Sequence, residues 1–218
     1  MAGKRSFVVL GLGRFGSRVA RELVGYGNHV LGIDSDEKLV APLADSLTEA
    51  VVADVRDEAA LREAGVASYD AAIVAIGSSL EASMLAHMNL TDLGVPQITV
   101  KAFDERHKRI LKGLGAADIV IPEQDAGEHI AQRLHNPAIH DFMEVCDGTY
   151  VALVTSTKRY TGKTVSAVGG ADAPVRIIGV MRSGTFLDPS TPDLFVAAKD
   201  QLLVQGSRKD IRAFADAG

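Results

Sequence analysis

Between an apolar run, Ser6-Phe7-Val8-Val9-Leu10, and a segment with helical apolar spacing (Phe15, Val19, Ala20, Leu23) the chain carries Gly11-Leu12-Gly13-Arg14-Phe15-Gly16. Few short sequences restrict a fold as strongly as three glycines at this spacing between a strand and a helix. A second apolar run from His29 ends on Asp34, at about the 20-residue separation that the G-x-G-x-x-G fingerprint calls for. Each position has a mechanical reading. Gly11 allows a tight turn, Gly13 lets the backbone approach a phosphate, and Gly16 lets helix and strand pack closely. The helix N-terminus then offers free N–H groups and a partial positive charge to an anion. A carboxylate at Asp34 suits the 2′- and 3′-hydroxyls of an adenosine ribose and repels a 2′-phosphate. NADP is therefore disfavoured, while NAD, ATP, ADP and AMP all remain open. Arg14 leans towards a polyphosphate, because a cation on the first helical turn opposes the helix dipole unless phosphate charge compensates it.

The same alternation continues down the chain. Strands are expected at 29–34, 50–53, 71–76, 98–100 and 119–121, with helices between them. Asp36, Ser78 or Ser79, and Asp104 stand where helix caps belong. Ala71 to Ile76 is apolar throughout, as suits a parallel strand covered on both faces. This pattern predicts an α/β fold, a Rossmann-like doubly wound parallel sheet. Near His135-Asn136-Pro137 the pattern changes to β-rich pieces at 150–154, 175–181 and 202–204. The expected division is a nucleotide-binding domain over 1–140 and a small α+β C-terminal domain over 141–218. In such a sheet the ligand lies at the strands' C-terminal ends. Asp54 is then placed to touch adenine or ribose, and Ile76-Gly77 to form an apolar wall.

Charge and composition exclude several classes. A net charge of −5, from 23 Lys and Arg against 28 Asp and Glu, argues against nucleic acid as a partner, since phosphate-tracking proteins carry a basic excess. No apolar stretch approaches the ~18 residues of a membrane span. The single cysteine, Cys146, cannot form an internal disulfide and reads as a small core residue in a reducing cytosol. A dehydrogenase needs a second set of groups to hold substrate and move a proton. The chain has no Tyr-x-x-x-Lys pair, no Walker lysine motif and no G-x-S-x-G, so no enzymatic activity is expected.

Gly-Leu-Gly-Arg-Phe-Gly at 11–16, Asp34, Val100-Lys101-Ala102, Gly115-Ala116-Ala117-Asp118 and Ile121-Pro122-Glu123 resemble the RCK (regulator of potassium conductance) family, in particular the cytosolic regulatory subunits of Ktr-type bacterial potassium uptake systems. The resemblance covers the whole first domain and, more loosely, the second, through Gly162-Lys163-Thr164 and Asp200-Gln201-Leu202-Leu203-Val204. It implies a protein on the cytoplasmic side of the plasma membrane that binds ATP or ADP and gates a membrane potassium-translocating subunit. It also implies homodimers assembled into an octameric ring. Carried over by position, Gly11, Gly13, Arg14, Phe15 and Gly16 meet phosphates, and Asp34 with its neighbour Ser35 meets the ribose. Lys101 and Glu123 lie near the nucleotide at a dimer contact, and Glu123 shares a cation, Mg²⁺ or Na⁺, with the terminal phosphate. Family members that bind cyclic di-AMP in the second domain carry an acid and an arginine where this chain has Val168-Gly169-Gly170-Ala171, so that ligand is doubtful here. A small NAD(H)-binding oxidoreductase or NAD(H) sensor is the alternative reading.

Overall fold

The computed structural model describes residues 3–146 and 148–216. It divides into two compact units, one up to Gln124 and one from Asp125 onwards.

The first unit is a six-stranded parallel sheet in the order β3-β2-β1-β4-β5-β6. Its strands are β1 (Ser6–Leu10), β2 (His29–Asp34), β3 (Glu49–Val52), β4 (Ala71–Val74), β5 (Ile98–Lys101) and β6 (Asp118–Val120). Between them run α1 (Arg14–Gly25), α2 (Glu37–Val40), α3 (Glu58–Glu63), α4 (Leu80–Asp92) and α5 (Glu105–Gly113). The caps expected at Asp36, Ser79 and Asp104 hold their helices, and Asp57 adds a cap that was not expected. Asp36, Asp57, Ser79 and Asp104 each accept a backbone N–H of the following turn, and such a cap contributes about 1 kcal/mol.

The strand sequences explain why both faces are covered. Val8 and Leu10 point with Leu31 and Ile33 into one apolar cluster that includes Val74, Leu90, Val100 and Leu111. Val9 and Val30 point the other way, into a cluster with Leu12, Ala20, Val40 and Leu43. An apolar residue at every position is what a strand sandwiched between two helical layers requires. The doubly wound sheet is thus as expected, and the strand order reverses at β1, with β2 on one side and β4 on the other.

The second unit is a five-stranded sheet in the order β10-β9-β11-β8-β7. Its strands are β7 (Ile139–Cys146), β8 (Thr149–Thr155), β9 (Val175–Arg182), β10 (Thr185–Leu187) and β11 (Gln201–Ser207), all paired antiparallel. One face, carrying Val154, Ile177, Leu202 and Val204, packs with Val165 of α7 (Val165–Gly169) and Ile211 and Phe214 of α8 (Arg208–Ala215).

Two expectations about this half need correction. The division falls at Gln124/Asp125, ahead of the expected 140/141. The cause is α6 (Pro122–His135), whose amphipathic pattern does not say which core it joins. Gln132 accepts two hydrogen bonds from Arg212 of α8, and Asn136, just past the helix, donates to Asp216 at 2.6 Å. Cys146 is exposed rather than in the core. It ends β7, an edge strand whose outward residues include Met143 and Val145.

Candidate functional site

The glycine loop leaves the C-terminal end of β1. Gly11 has φ +94° and donates its N–H to Ile33 O at 2.8 Å. A Cβ there would lie 3.1–3.2 Å from Ala75 backbone atoms and Ile76 Cγ1. Gly16 is more tightly held, since its Cβ would fall 1.8 Å from Gly11 O. No side chain fits there unless α1 moves off the sheet. Gly13 is different: a Cβ would meet nothing within 4 Å. Local packing therefore requires Gly11 and Gly16 and leaves Gly13 facing open space. Gly13 is the N-cap of α1, makes no side-chain cap, and no acid occupies the first turn. The leading N–H groups of α1 have no intrahelical acceptors and no capping carboxylate.

Asp34, at the end of β2, acts within the chain as well. Its Oδ2 accepts the N–H of Leu12 at 2.7 Å and its Oδ1 accepts the N–H of Asp36 at 3.0 Å. The carboxylate thus ties the glycine loop to the end of β2. Each oxygen keeps a further lone pair, enough to accept a ribose hydroxyl. Sequence reasoning missed the Leu12 link because it joins two segments 22 residues apart. Gly32, where a Cβ would clash with Leu47 and Leu12 side chains at 2.7 and 3.0 Å, was a signal that this strand and loop approach closely.

A second group gathers beside the loop. Lys101 closes β5 and is buried, with its side chain 8% exposed. Its Nζ donates to Glu123 Oε1 at 2.5 Å and lies 5.3 Å from the centre of the Phe15 ring. A Cβ on Gly77 would sit 3.7 Å from the same nitrogen, so the glycine keeps that approach open. Glu123, the second residue of α6, is 66% exposed. The Lys101 hydrogen bond holds its carboxyl below the usual range against the opposing effect of burial, with lesser help from its own backbone N–H and from the charges of Lys101 and Arg14. Arg14 is exposed on the first turn of α1. One carboxylate is thus paired with a buried cation, with the exposed Arg14 close enough to be felt by it, next to an uncapped helix end. Anion density is what such a place attracts.

The structure thus brings together Gly11, Gly13, Arg14, Phe15, Gly16, Asp34, Ile76, Gly77, Lys101 and Glu123. Ile76, 9% exposed, backs the Gly11 turn as an apolar wall. Ser35 is exposed between Asp34 and Asp36. Asp54 lies two residues beyond β3 and is paired with Arg56, whose Nη2 donates at 2.6 Å. That hydrogen bond, more than any other influence, holds Asp54 below its usual pKa. Asp54 has its own partner and does not share the loop's contacts. Among the described residues no three His, Cys, Asp or Glu side chains cluster as metal ligands. Glu123 stands alone in that respect.

All of this sits at the carboxyl ends of the strands, at the point where strand order reverses, the place where open α/β sheets bind ligands. The TrkA-N domain family matches residues 7–122. The chain belongs to that family. The resemblance read from the glycine loop, Lys101 and Glu123 is thereby borne out. Over nearly its whole length the chain is similar to two potassium uptake proteins of Bacillus subtilis (strain 168). It is 31% identical to the Ktr system potassium uptake protein A over 215 residues, covering 98% of this chain and 97% of that one. It is 32% identical to the Ktr system potassium uptake protein C over 212 residues, covering 97% and 96%. Among solved structures, the GsuK RCK domain superposes on 99% of this chain with a TM-score of 0.66 at 16% identity, and this chain spans 48% of that one. The GsuK channel bound to NAD superposes on 98% with a TM-score of 0.67 at 16% identity, this chain spanning 39% of it. Such identities speak to the shared fold. Among the described residues no helix is long and apolar enough to cross a membrane.

Proposed function

We propose that this chain is a nucleotide-sensing regulatory subunit of a potassium uptake system, working on the cytoplasmic face of the membrane, and that its ligands are ATP and ADP. The observation that carries the reading is the Lys101–Glu123 pair beside the uncapped N-terminus of α1, whose first turn carries the exposed Arg14. The full-length similarity to the two Bacillus subtilis uptake proteins supports the potassium system as the setting. In this reading a membrane potassium-translocating subunit is the partner, and homodimers built into an octameric ring are the assembly the family resemblance implies.

The ligand-free site contains its own competitor. Lys101 is nearly buried and, among the described residues, its carboxylate partner is Glu123. A polyphosphate entering over Gly13 offers Lys101 and Arg14 more negative charge than Glu123 does. Glu123, released from Lys101, then faces a phosphate that repels it, and a bridging Mg²⁺ or Na⁺ relieves that repulsion. With Glu123 as the single protein ligand in this cluster, phosphate oxygens, water or a second copy of the chain supply the rest. ATP and ADP differ by the γ-phosphate, so the groups nearest the terminal phosphate carry the discrimination. A ligand shifts a conformational equilibrium only through its differential affinity for the two states. No bond needs to break for this function.

Calorimetric titration with ATP, ADP and NADH tests the proposal, in wild type and in Arg14→Ala. Wild type should prefer ATP or ADP over NADH, and the variant should lose the difference between ATP and ADP. A preference of about tenfold or more for NADH would reverse the reading in favour of an NAD(H) sensor. Unchanged discrimination in Arg14→Ala would remove Arg14 from the mechanism.

A further inference from the structure

Lys101 is held in place by the segment that follows it. Ala102, fully buried, donates its N–H to Val120 O at 2.8 Å. Phe103 donates its N–H to Nδ1 of His107 at 3.3 Å. Asp104, the N-cap of α5, accepts the N–H of His107 at 2.8 Å. This exchange resembles a capping box, in which the third helical residue is normally Glu or Gln and reaches back to a backbone N–H. Here that residue is a histidine, which brings a titratable group into the turn.

His107 is 2% exposed and packs on Phe103, with ring centres 4.4 Å apart and planes 36° from parallel. Because the Phe103 N–H points at Nδ1, the neutral ring carries its hydrogen on Nε2. That nitrogen is buried and, among the described residues, has no hydrogen-bond partner. A second proton therefore has one place to go, the Nδ1 lone pair that Phe103 already uses. Protonation and the Phe103 hydrogen bond exclude each other.

The surroundings set the resistance to that proton. Asp104 favours the charged ring, but burial outweighs it and holds the pKa below the ordinary histidine value. The position in the first turn of α5 also opposes a cation. Elsewhere on α5, Glu105 and Lys108 pair at 3.6 Å, while Arg106, Arg109 and Lys112 are exposed. Of the neighbouring elements, β5 carries Lys101, bonded to Glu123, and β6 carries Asp118, bonded to Thr99 Oγ1 at 2.6 Å. On α4, Glu81 and Asp92 are exposed, and His87 is buried with its own pKa lowered. Among these charges Asp104 is the one that acts on the His107 ring.

We infer that His107 is a positioning residue of the nucleotide site: its Nδ1 lone pair holds the segment that fixes Lys101, and a proton taking that lone pair releases the segment and weakens the hold on phosphate. This role presupposes the nucleotide reading of Lys101. The linkage is reciprocal, so a nucleotide gripping Lys101 makes His107 harder to protonate. Affinity is then full above the ordinary histidine range and falls as pH drops through the value of the free protein, by at most about tenfold per pH unit for one proton.

Calorimetric titration with ATP from pH 7.5 to about 5 tests this in wild type, His107→Asn and His107→Leu. The phosphate's own protonation is common to all three and cancels in the comparison. Asn offers Oδ1 where Nδ1 stood and cannot become charged, whereas Leu offers no acceptor. At pH 7.5 His107→Asn should bind ATP about threefold or more tighter than His107→Leu. Towards the acid end wild type should lose about threefold or more in affinity relative to His107→Asn. Imidazole ¹⁵N NMR of wild type needs no variant: His107 should be the Nε2–H tautomer, and saturating ATP should lower its pKa. Absence of ATP binding by wild type at neutral pH would overturn the nucleotide reading and this role with it. ATP binding with parallel pH profiles in wild type and His107→Asn, an Nδ1–H tautomer, or a His107 pKa unmoved by ATP would overturn the role of His107 alone.

Discussion

Gly13→Ala separates the loop's role in folding from its role in binding. Gly13 has φ −62° and ψ −170°, an extended conformation open to alanine. An added Cβ meets no protein atom within 4 Å. Two small effects on stability then oppose each other. Alanine restricts the unfolded chain, worth about 0.4–1 kcal/mol in favour of the fold. Alanine is also a poorer N-cap than glycine, which costs roughly half a kcal/mol or somewhat more. The net change should lie within about 0.5 kcal/mol of zero. Binding is another matter. The same methyl occupies the space through which a phosphate reaches the N–H groups of α1. Forcing an extra methyl into a close-packed contact costs about 1–3 kcal/mol, which is about 5- to 150-fold in affinity. The assay pairs chemical denaturation with ATP titration of the same preparation. Gly16→Ala is the control, because its Cβ would lie 1.8 Å from Gly11 O and the fold itself should suffer, by about 3 kcal/mol or more. Wild-type nucleotide affinity in Gly13→Ala would refute a phosphate seated over this loop.

Other residues give independent tests. Asp34→Asn leaves one carbonyl oxygen where two carboxylate oxygens now accept the N–H groups of Leu12 and Asp36; denaturation should show a loss of about 1 kcal/mol, and discrimination against a 2′-phosphate should weaken. Lys101→Met removes the main influence on Glu123, so NMR titration should find that carboxyl back in the ordinary range, and nucleotide affinity should fall. An unmoved Glu123 titration would contradict the pairing. Because the folded pKa of Glu123 is depressed, the pair's contribution is present above the ordinary glutamate range and is lost as pH falls through the folded value. His87 and His107 are both buried, and burial lowers both pKa values, outweighing the nearby Leu114 carbonyl for one and Asp104 for the other. The unfolded chain then binds protons that the folded one resists. Stability should be full above the ordinary histidine range and should decline below it, by at most about 1.4 kcal/mol per pH unit for each imidazole. His87→Leu should flatten part of that decline in urea unfolding followed from pH 7.5 to 5.5.

The parts of this protein that were legible in sequence are those set by local constraints. Gly11 and Gly16 are dictated by a positive φ and by a backbone oxygen, and such constraints leave a spacing that any reader of the chain can find. The helix caps at Asp36, Ser79 and Asp104 follow the same logic, each acting within four residues. Lys101 and Glu123 are 22 residues apart and meet only because β5 and β6 are parallel neighbours. Their pairing had no signature apart from the family resemblance. β7 was missed because Ile139-His140-Asp141-Phe142-Met143-Glu144 mixes charge and apolar residues, as an edge strand with one largely exposed face does. The same exposure put Cys146 at the surface. The pattern of α6 shows an amphipathic helix but not which core receives its apolar side.

The division between legible and illegible residues also follows the division between rigid and exchangeable parts of the site. Gly11, Gly16 and Asp34 are locked by contacts that no ligand needs to break, so they define where a nucleotide sits without reporting which one has come. The Lys101–Glu123 pair joins a nearly buried cation to a carboxylate that is 66% exposed. It can exchange partners at modest cost, since an exposed carboxylate regains water when released. Glu123 is the second residue of α6, and that helix continues past Gln124 into the second unit. In the proposed mechanism, a change of partner at Glu123 therefore acts on the first turn of the helix that links the two units covalently. On the proposed reading the glycine backbone confers affinity, and Arg14 with the Lys101–Glu123 pair converts the identity of the terminal phosphate into a change in conformation. On that reading, keeping the discriminating contacts on side chains that can exchange partners, Arg14 and the Lys101–Glu123 pair, is what would let ATP and ADP share a pose and still favour different states.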